Sequence, residues 1–202
     1  KKVKIMTKLG EIYTSLPEEY LKQVLNYEGG YLSAEKAKQI GDKGGETCRG
    51  ITAFTLANAI QQKLVSPTLT CKDLLTNLEA VRIIYDINYY KKGYACVLPH
   101  PLSFVHFDSG VNHGIGNAAK FLQSTINEFK FCNISVDGGI GQKTLSAFDI
   151  TLNKVGIVEI TKEYINIRKL FYDKIVLKNP NQSKFYKGWI NRLNNVKKFS
   201  GV

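Results

Sequence analysis

Leu16, Tyr20, Leu21, Val24 and Leu25 recur at steps of three and four, an apolar stripe that predicts a helix over residues 17–27. Ser15 stands where an N-cap belongs, Glu18 follows three residues later as in a capping box, and Pro17 suits the first turn. Gly29-Gly30 predicts the stop, because glycine enters the left-handed conformation without a Cβ penalty. Helical periodicity then lapses over residues 31–53. The turn-rich run from Gly41 to Thr47, leading into Cys48-Arg49-Gly50-Ile51-Thr52, reads as a loop or small hairpin beside that helix end. Helical spacing returns at 54–64, in a short segment at 70–75, and at 78–90 with Val81, Ile84 and Tyr85 on one side. Leu98-Pro99-His100-Pro101 reads as a rigid connector. Beyond it, helices are predicted from Leu102 towards Val111, over 117–131, after the Asp137-Gly138-Gly139 turn, over 157–177, and as a short amphipathic piece at 185–193. The pattern is that of a mainly α chain with one small β-hairpin or irregular loop element after the first helix.

Composition narrows the class. The 202 residues are 44% hydrophobic and 22% charged, as in an ordinary folded domain, or one domain with a small appendage. No apolar run approaches the roughly 20 residues a membrane helix needs, so no stable membrane insertion is expected. Lys1-Lys2-Val3-Lys4 is basic, but no signal-like apolar core follows it. The net charge of +11 favours a polyanionic partner: nucleic acid, anionic lipid or an anionic cell wall. The basic excess is strongest at the end, where Lys178, Lys184, Lys187, Arg192, Lys197 and Lys198 follow Asp173 with no further acid. Cys48, Cys71, Cys96 and Cys132 are widely spaced, which argues against zinc; they form two disulfides or stay free thiols, with free thiols preferred.

Glu28 is the leading candidate for chemistry. At the C-terminal end of its helix it opposes the negative end of the dipole, and partial burial beside Tyr27 and Tyr31 disfavours its charged form. Both effects raise a carboxyl pKa, as a general acid at neutral pH requires. Asp42, across the glycine-rich turn, is the natural second carboxylate for glycoside hydrolysis; Glu35 and Glu46 sit where solvent exposure is the simpler reading. Thr47 and Thr52 offer hydroxyls that either position a water or cap and turn the backbone. His100, His106 and His113 form no ligand pattern, and His113 reads as a loop residue rather than a base. No nucleophile elbow, Walker loop or dinucleotide fingerprint is present, and no metal or cofactor is implied. Phe185, Tyr186, Lys187, Trp189 and Arg192 either stack on bases or sugars or pin the last helix to the core.

Several separated stretches together resemble one family. Glu28-Gly29-Gly30-Tyr31 with Asp42 to Thr47 and Gly50-Ile51-Thr52 is similar to the glutamate-containing signature of the glycoside hydrolase family 108 muramidases, also called secretion-activating proteins. Phe107-Asp108-Ser109-Gly110-Val111-Asn112-His113-Gly114 with Ala118-Ala119-Lys120-Phe121-Leu122-Gln123 resembles its central stretch. Asp137-Gly138-Gly139-Ile140-Gly141 with Thr144-Leu145 resembles the start of its C-terminal peptidoglycan-binding region. Arg168 with Tyr172, Phe185 and Lys187 to Arg192 resembles its close. The order is kept from about residue 18 to 193.

The resemblance implies a lysozyme-like, mainly α fold: a lead-in at 1–15, a catalytic region at 16–131 and a helical peptidoglycan-binding region at 132–202, packed as one globule. It implies a monomeric N-acetylmuramidase of the lysozyme type, an endolysin or secretion-associated enzyme acting on peptidoglycan glycan strands in the periplasm or at the extracellular face, with nucleic acid not a partner. Glu28 would be the acid, assisted by Asp42 and Thr47, with Tyr31, Thr52, Asp108 and Asn112 contacting substrate. The alternatives are a lytic transglycosylase that leaves anhydro-muramyl ends, and a wall-binding module without catalysis. The chain departs from the family at Lys43, where proline is expected, at Arg49, where an aromatic or small residue is usual, and at Tyr89-Tyr90, where tryptophan is common; these departures touch sugar contacts more than chemistry.

Overall fold

The computed structural model describes residues 14–39 and 45–202. It is mainly α with one small antiparallel sheet after the first helix, as the periodicity predicts. Two compact units are formed, Ser15–Asn88 and Tyr89–Val202, the latter with Thr14.

In the first unit, α1 (Glu18–Leu25) buries Tyr20, Leu21 and Val24, the predicted stripe. Its start differs from expectation. Pro17 takes the N-cap position without a side-chain cap, and Glu18 pairs instead with Lys22 at 2.6 Å on the exposed face. Leu16 is fixed by its own amide, which donates to the buried Asp86 carboxylate at 2.9 Å. Its end differs too. Gly29 and Gly30 are not among the positive-φ glycines; the helix closes by tightening, with the Tyr27 amide on the Val24 carbonyl (3.0 Å) and the Glu28 amide on Leu25 (3.3 Å).

Strand β1 (Tyr31–Leu32) leads to helix α2 (Ala34–Gln39), then to strands β2 (Thr47–Cys48) and β3 (Ile51–Thr52). The sheet order is β1-β2-β3, with Tyr31 opposite Cys48, Leu32 opposite Thr47, Thr47 opposite Thr52 and Cys48 opposite Ile51. Helix α3 (Ala53–Gln61) starts on Thr52, whose hydroxyl accepts from the Thr55 amide at 3.1 Å. A 3₁₀ turn (Lys72–Leu75) precedes α4 (Leu78–Tyr85), which Asn77 caps and which runs on as a π-helical segment, Asp86–Lys91.

The second unit is built around α5 (Leu102–His113), buried continuously from Leu102 to Gly110, and therefore surrounded by other helices. Helices α6 (Ile115–Glu128), α8 (Ile157–Lys178) and α9 (Ser183–Ser200) pack on it, and α7 (Gln142–Val155) packs on α6 and α8. The last helix is twice the predicted piece because Val196 and Ser200 are also buried. Gln123 of α6, 1% exposed, ties down the Asp137-Gly138-Gly139 turn: its Nε2 donates to Asp137 (2.8 Å) and to the Gly139 carbonyl (2.9 Å), and its Oε1 accepts from the Gly138 amide (2.9 Å). Cys48, Cys71, Cys96 and Cys132 are free thiols. Among the described residues no helix is long and apolar enough to cross a membrane.

Candidate active site

Glu28 lies three residues beyond α1 and is half-buried. What meets its carboxyl is the turn between β2 and β3. That turn has two residues, Arg49 at φ 49° and Gly50 at φ 73°, the positive pair that a type I′ hairpin requires. A Cβ on Gly50 would stand 2.6 Å from Glu28 Oε2, 3.1 Å from its Cδ and 2.9 Å from the Tyr85 hydroxyl oxygen. Only a glycine lets the carboxyl, the turn and the phenol share that space.

Arg49 is an unusual occupant of the left-handed region, which costs a non-glycine residue roughly 1–2 kcal/mol. Its side chain shows why it stays. Nε donates to the Leu74 carbonyl (3.1 Å) and Nη2 to the Leu75 carbonyl (3.0 Å), the open carbonyls of the 3₁₀ turn. Hydrogen bonds from a charged donor contribute roughly 1.5–3 kcal/mol each, enough to offset the strain. Its own carbonyl accepts the Tyr85 hydroxyl proton at 2.7 Å, and Tyr85, the last residue of α4, is 1% exposed. The residue that departs from the family pattern is thus the one that rivets the turn.

On the sheet beside this turn, Tyr31 is at the surface and donates its hydroxyl to Glu46 Oε1 at 2.6 Å; the bond to Glu46 pushes the phenol up to about 12. Glu46 is therefore engaged with Tyr31 rather than merely solvated. Its backbone carbonyl accepts the Ala53 amide (2.9 Å), closing the hairpin onto α3. Thr47 sits half-buried in β2, between Leu32 and Thr52. Thr52 spends its oxygen capping α3. Asp42 lies outside the described residues. Cys71, pushed up to about 11 by burial, keeps its proton and donates it to the Ile51 carbonyl at 3.6 Å.

Asp108 and Asn112 both belong to α5 in the second unit. Asp108 is fully buried, and its oxygens are taken by arginines: Oδ2 by Arg168 Nη1 (2.6 Å), Oδ1 by Arg192 Nε (3.0 Å) and Nη2 (2.8 Å). Burial alone would raise its carboxyl, but Arg168 and Arg192 outweigh that and hold it below the usual range. A carboxylate with no exposed atom ties α5 to α8 and α9. Asn112, half-buried, donates Nδ2 to the Tyr172 hydroxyl (2.9 Å). His113 is the last residue of α5, not a loop residue. Its Nε2 is approached by Tyr172 Oη (3.0 Å), Asn112 Nδ2 (3.1 Å) and Arg168 Nε (3.2 Å). Burial, then Arg168, push it down to about 3, so it is neutral. Trp189 stacks on Tyr172 at 5.3 Å and pins α9 to α8, the structural use of the C-terminal aromatics.

Sequence reasoning passed over Gly50 and Tyr85 as site residues. The Arg49-Gly50 dipeptide between two short extended pairs is a hairpin signal that could have drawn attention to Gly50; no local signal marks the Tyr85 hydroxyl. Among the described residues no group of three or more His, Cys, Asp or Glu side chains could hold a metal ion.

Residues 21–114 match the family model described as Glycosyl hydrolase 108, and residues 117–194 match the one described as Predicted Peptidoglycan domain. Ten chains of solved structures match. One, from a structure described as that of Brucella abortus SagA, is 29% identical with a TM-score of 0.64, over 90% of this chain and 91% of that one. Among curated proteins no relative matches. The mainly α architecture with its small sheet after the glutamate helix is lysozyme-like. With the glycosidase model ending at Gly114 and the peptidoglycan domain beginning at Asn117, the chain belongs to the glycosyl hydrolase 108 family and is a peptidoglycan hydrolase.

Proposed function

We propose that the chain is an N-acetylmuramidase in which Glu28 is the general acid. One observation carries this reading: the half-buried Glu28 carboxyl, just past the end of α1, rests against a hairpin turn that has room for it only because residue 50 is glycine. A carboxyl fixed beside a backbone turn can present its proton to the glycosidic oxygen of a bound strand. As the C–O bond breaks, positive charge develops on the sugar ring, and water completes the hydrolysis at the anomeric carbon. Asp42 is the group proposed to activate or steer that water, assisted by Thr47 of β2. Tyr31, exposed on the sheet next to the glutamate loop, is proposed to contact the sugar. Asp108 has no part in this reading, since both of its oxygens are spent on arginines.

The net charge of +11 supports an enzyme drawn to the anionic polymer of the bacterial cell wall by long-range attraction. The test is the chemistry of the products. Purified peptidoglycan is digested with the protein and the released sugars are identified by mass spectrometry. Reducing muramic acid ends are expected. Anhydro-muramyl ends would make the protein a lytic transglycosylase, and no released sugar would reduce it to a wall-binding module.

A further inference from the structure

We infer that the hairpin of α8 and α9 carries a docking surface for an anionic phospholipid bilayer, a reversible contact at the lipid–water interface rather than an insertion. Exposed apolar side chains stand there among lysines. Leu177, in the last turn of α8, is 83% exposed, and Leu170, two turns earlier on the same face, is 42% exposed. Lys174 and Lys178 are exposed on that side of the helix too. After the short connection Pro180–Gln182, α9 opens with Lys184, Phe185 and Lys187 at the surface, Phe185 being 48% exposed. Val176 and Leu177 share a hollow of about 370 Å³ with Ser183 and Tyr186 of α9 and with Asp173. The apolar positions of the two helices thus border one another.

The charge around them has one sign. Asp173 is the last acid in the chain, and its oxygens are engaged by Lys169 Nζ (2.8 Å) and the Tyr186 hydroxyl (2.6 Å). From Lys174 onward every charged side chain is basic. Lys184 Nζ stands 5.0 Å from the centre of the Phe185 ring, so a cation and an apolar face are offered together. This combination favours lipid over other polyanions. Phosphate headgroups take the ammonium groups, while Leu170, Leu177 and Phe185 enter the acyl boundary. A wall polymer offers charges to the lysines and sugar rings to Phe185, but no hydrocarbon in which a leucine gains by leaving water. A second copy of the chain would set the same lysines against one another. The surface lies wholly in the second unit and is independent of the chemistry proposed for Glu28.

The test sediments the full protein with vesicles of mixed phosphatidylglycerol and phosphatidylcholine, and with phosphatidylcholine alone, at low and high salt. Binding is expected to the anionic vesicles only, and to weaken as salt rises. Leu177→Ser is expected to lower the partition coefficient about tenfold, with the melting temperature unchanged. Lys178→Gln and Lys184→Gln are expected to lower it about fivefold each. Ile150→Ser, at an apolar position of α7 that is 47% exposed, is the control and is expected to change nothing. Failure to bind the anionic vesicles overturns the inference, as does an equal loss from Ile150→Ser. Binding that the lysine variants weaken and Leu177→Ser does not also overturns it, and leaves a surface for polyanions in general. A dimer in sedimentation equilibrium that Leu177→Ser dissolves overturns it in favour of a contact between copies.

Discussion

The two units each hold a carboxylate at a position singled out in the sequence, and on the proposed function they use it in opposite ways. In Ser15–Asn88, Glu28 is half-buried, and its Oε2 lies 2.6 Å from the point a Cβ on Gly50 would occupy. In Tyr89–Val202, Asp108 is fully buried and matched by two guanidinium groups. A carboxylate saturated by arginines is a fixed charge; it holds helices together and cannot exchange a proton near neutral pH. A half-buried carboxyl beside a hairpin turn is left open to the proton transfer proposed for Glu28. Residue type and family pattern mark both positions, and it is the partners that separate a reagent from a strut.

The largest expected break in this comparison comes from Asp108→Asn. It leaves Arg168, fully buried, and Arg192, 11% exposed, without their counter-charge. Removing one partner of a buried pair costs roughly 3–5 kcal/mol, which denaturant unfolding would register as a sharp fall in midpoint. The neutral amide swap at Glu28 should leave that midpoint nearly unmoved. Equal stability losses at the two positions would erase the distinction.

Next in size is the acid response of the second unit. His106 is 1% exposed; its Nε2–H donates to the Gly93 carbonyl at 2.8 Å, its Nδ1 meets the Tyr164 hydroxyl at 3.0 Å, and burial pushes it down to about 4. An unfolded histidine titrates near 6.5, so between about pH 6.5 and 4 the unfolded chain binds a proton that the folded chain refuses. Stability is full above about pH 6.5 and falls as pH drops through that window, by on the order of 3 kcal/mol from His106. His113, pushed down to about 3, adds in the same direction over a slightly longer window. Asp108, whose folded value is lowered, adds its own loss only as pH falls below the ordinary carboxylate range near 4. Unfolding midpoints measured from pH 7 to 4 should slope steadily downward, and His106→Asn should flatten part of the slope. A flat wild-type profile would contradict the placement of both rings.

A smaller effect sharpens the first unit. Thr52 was a candidate for contacting substrate, and its oxygen is found capping α3. Thr52→Ala should cost about 1 kcal/mol of stability, the usual worth of an N-cap, read from the same unfolding curves. No change would remove the cap from the account of how the hairpin joins its helix.

Much of this was legible in the chain. The stripe of Leu16, Tyr20, Leu21 and Val24 required a buried helix, and Glu28 had to follow its end. The hairpin was readable as a loss of helical period ending in Arg49-Gly50. What escaped was set by partners distant in sequence. Tyr85 looked like one more core position in a helical stripe, because nothing local reports that its hydroxyl reaches a carbonyl 36 residues earlier. Asp108 looked like a ligand because Arg168 and Arg192, the groups that occupy it, come 60 and 84 residues later. Ser15 had the chemistry of a cap, but Leu16 was instead anchored by Asp86 from 70 residues away, which left the helix to start on Pro17. Short-range pattern fixes where an ionisable group stands; its role depends on what folds back onto it.

The central claim is that Glu28 supplies the proton. Its most direct test is the rate at which Glu28→Gln releases reducing muramic acid ends from purified peptidoglycan, measured beside wild type with folding checked by circular dichroism and thermal melting. The account predicts an intact fold, with a rate lower by roughly 10²–10⁴-fold, the range that general acid catalysis supplies. A correctly folded Glu28→Gln that releases sugars at the wild-type rate would contradict it and move the acid elsewhere in the chain.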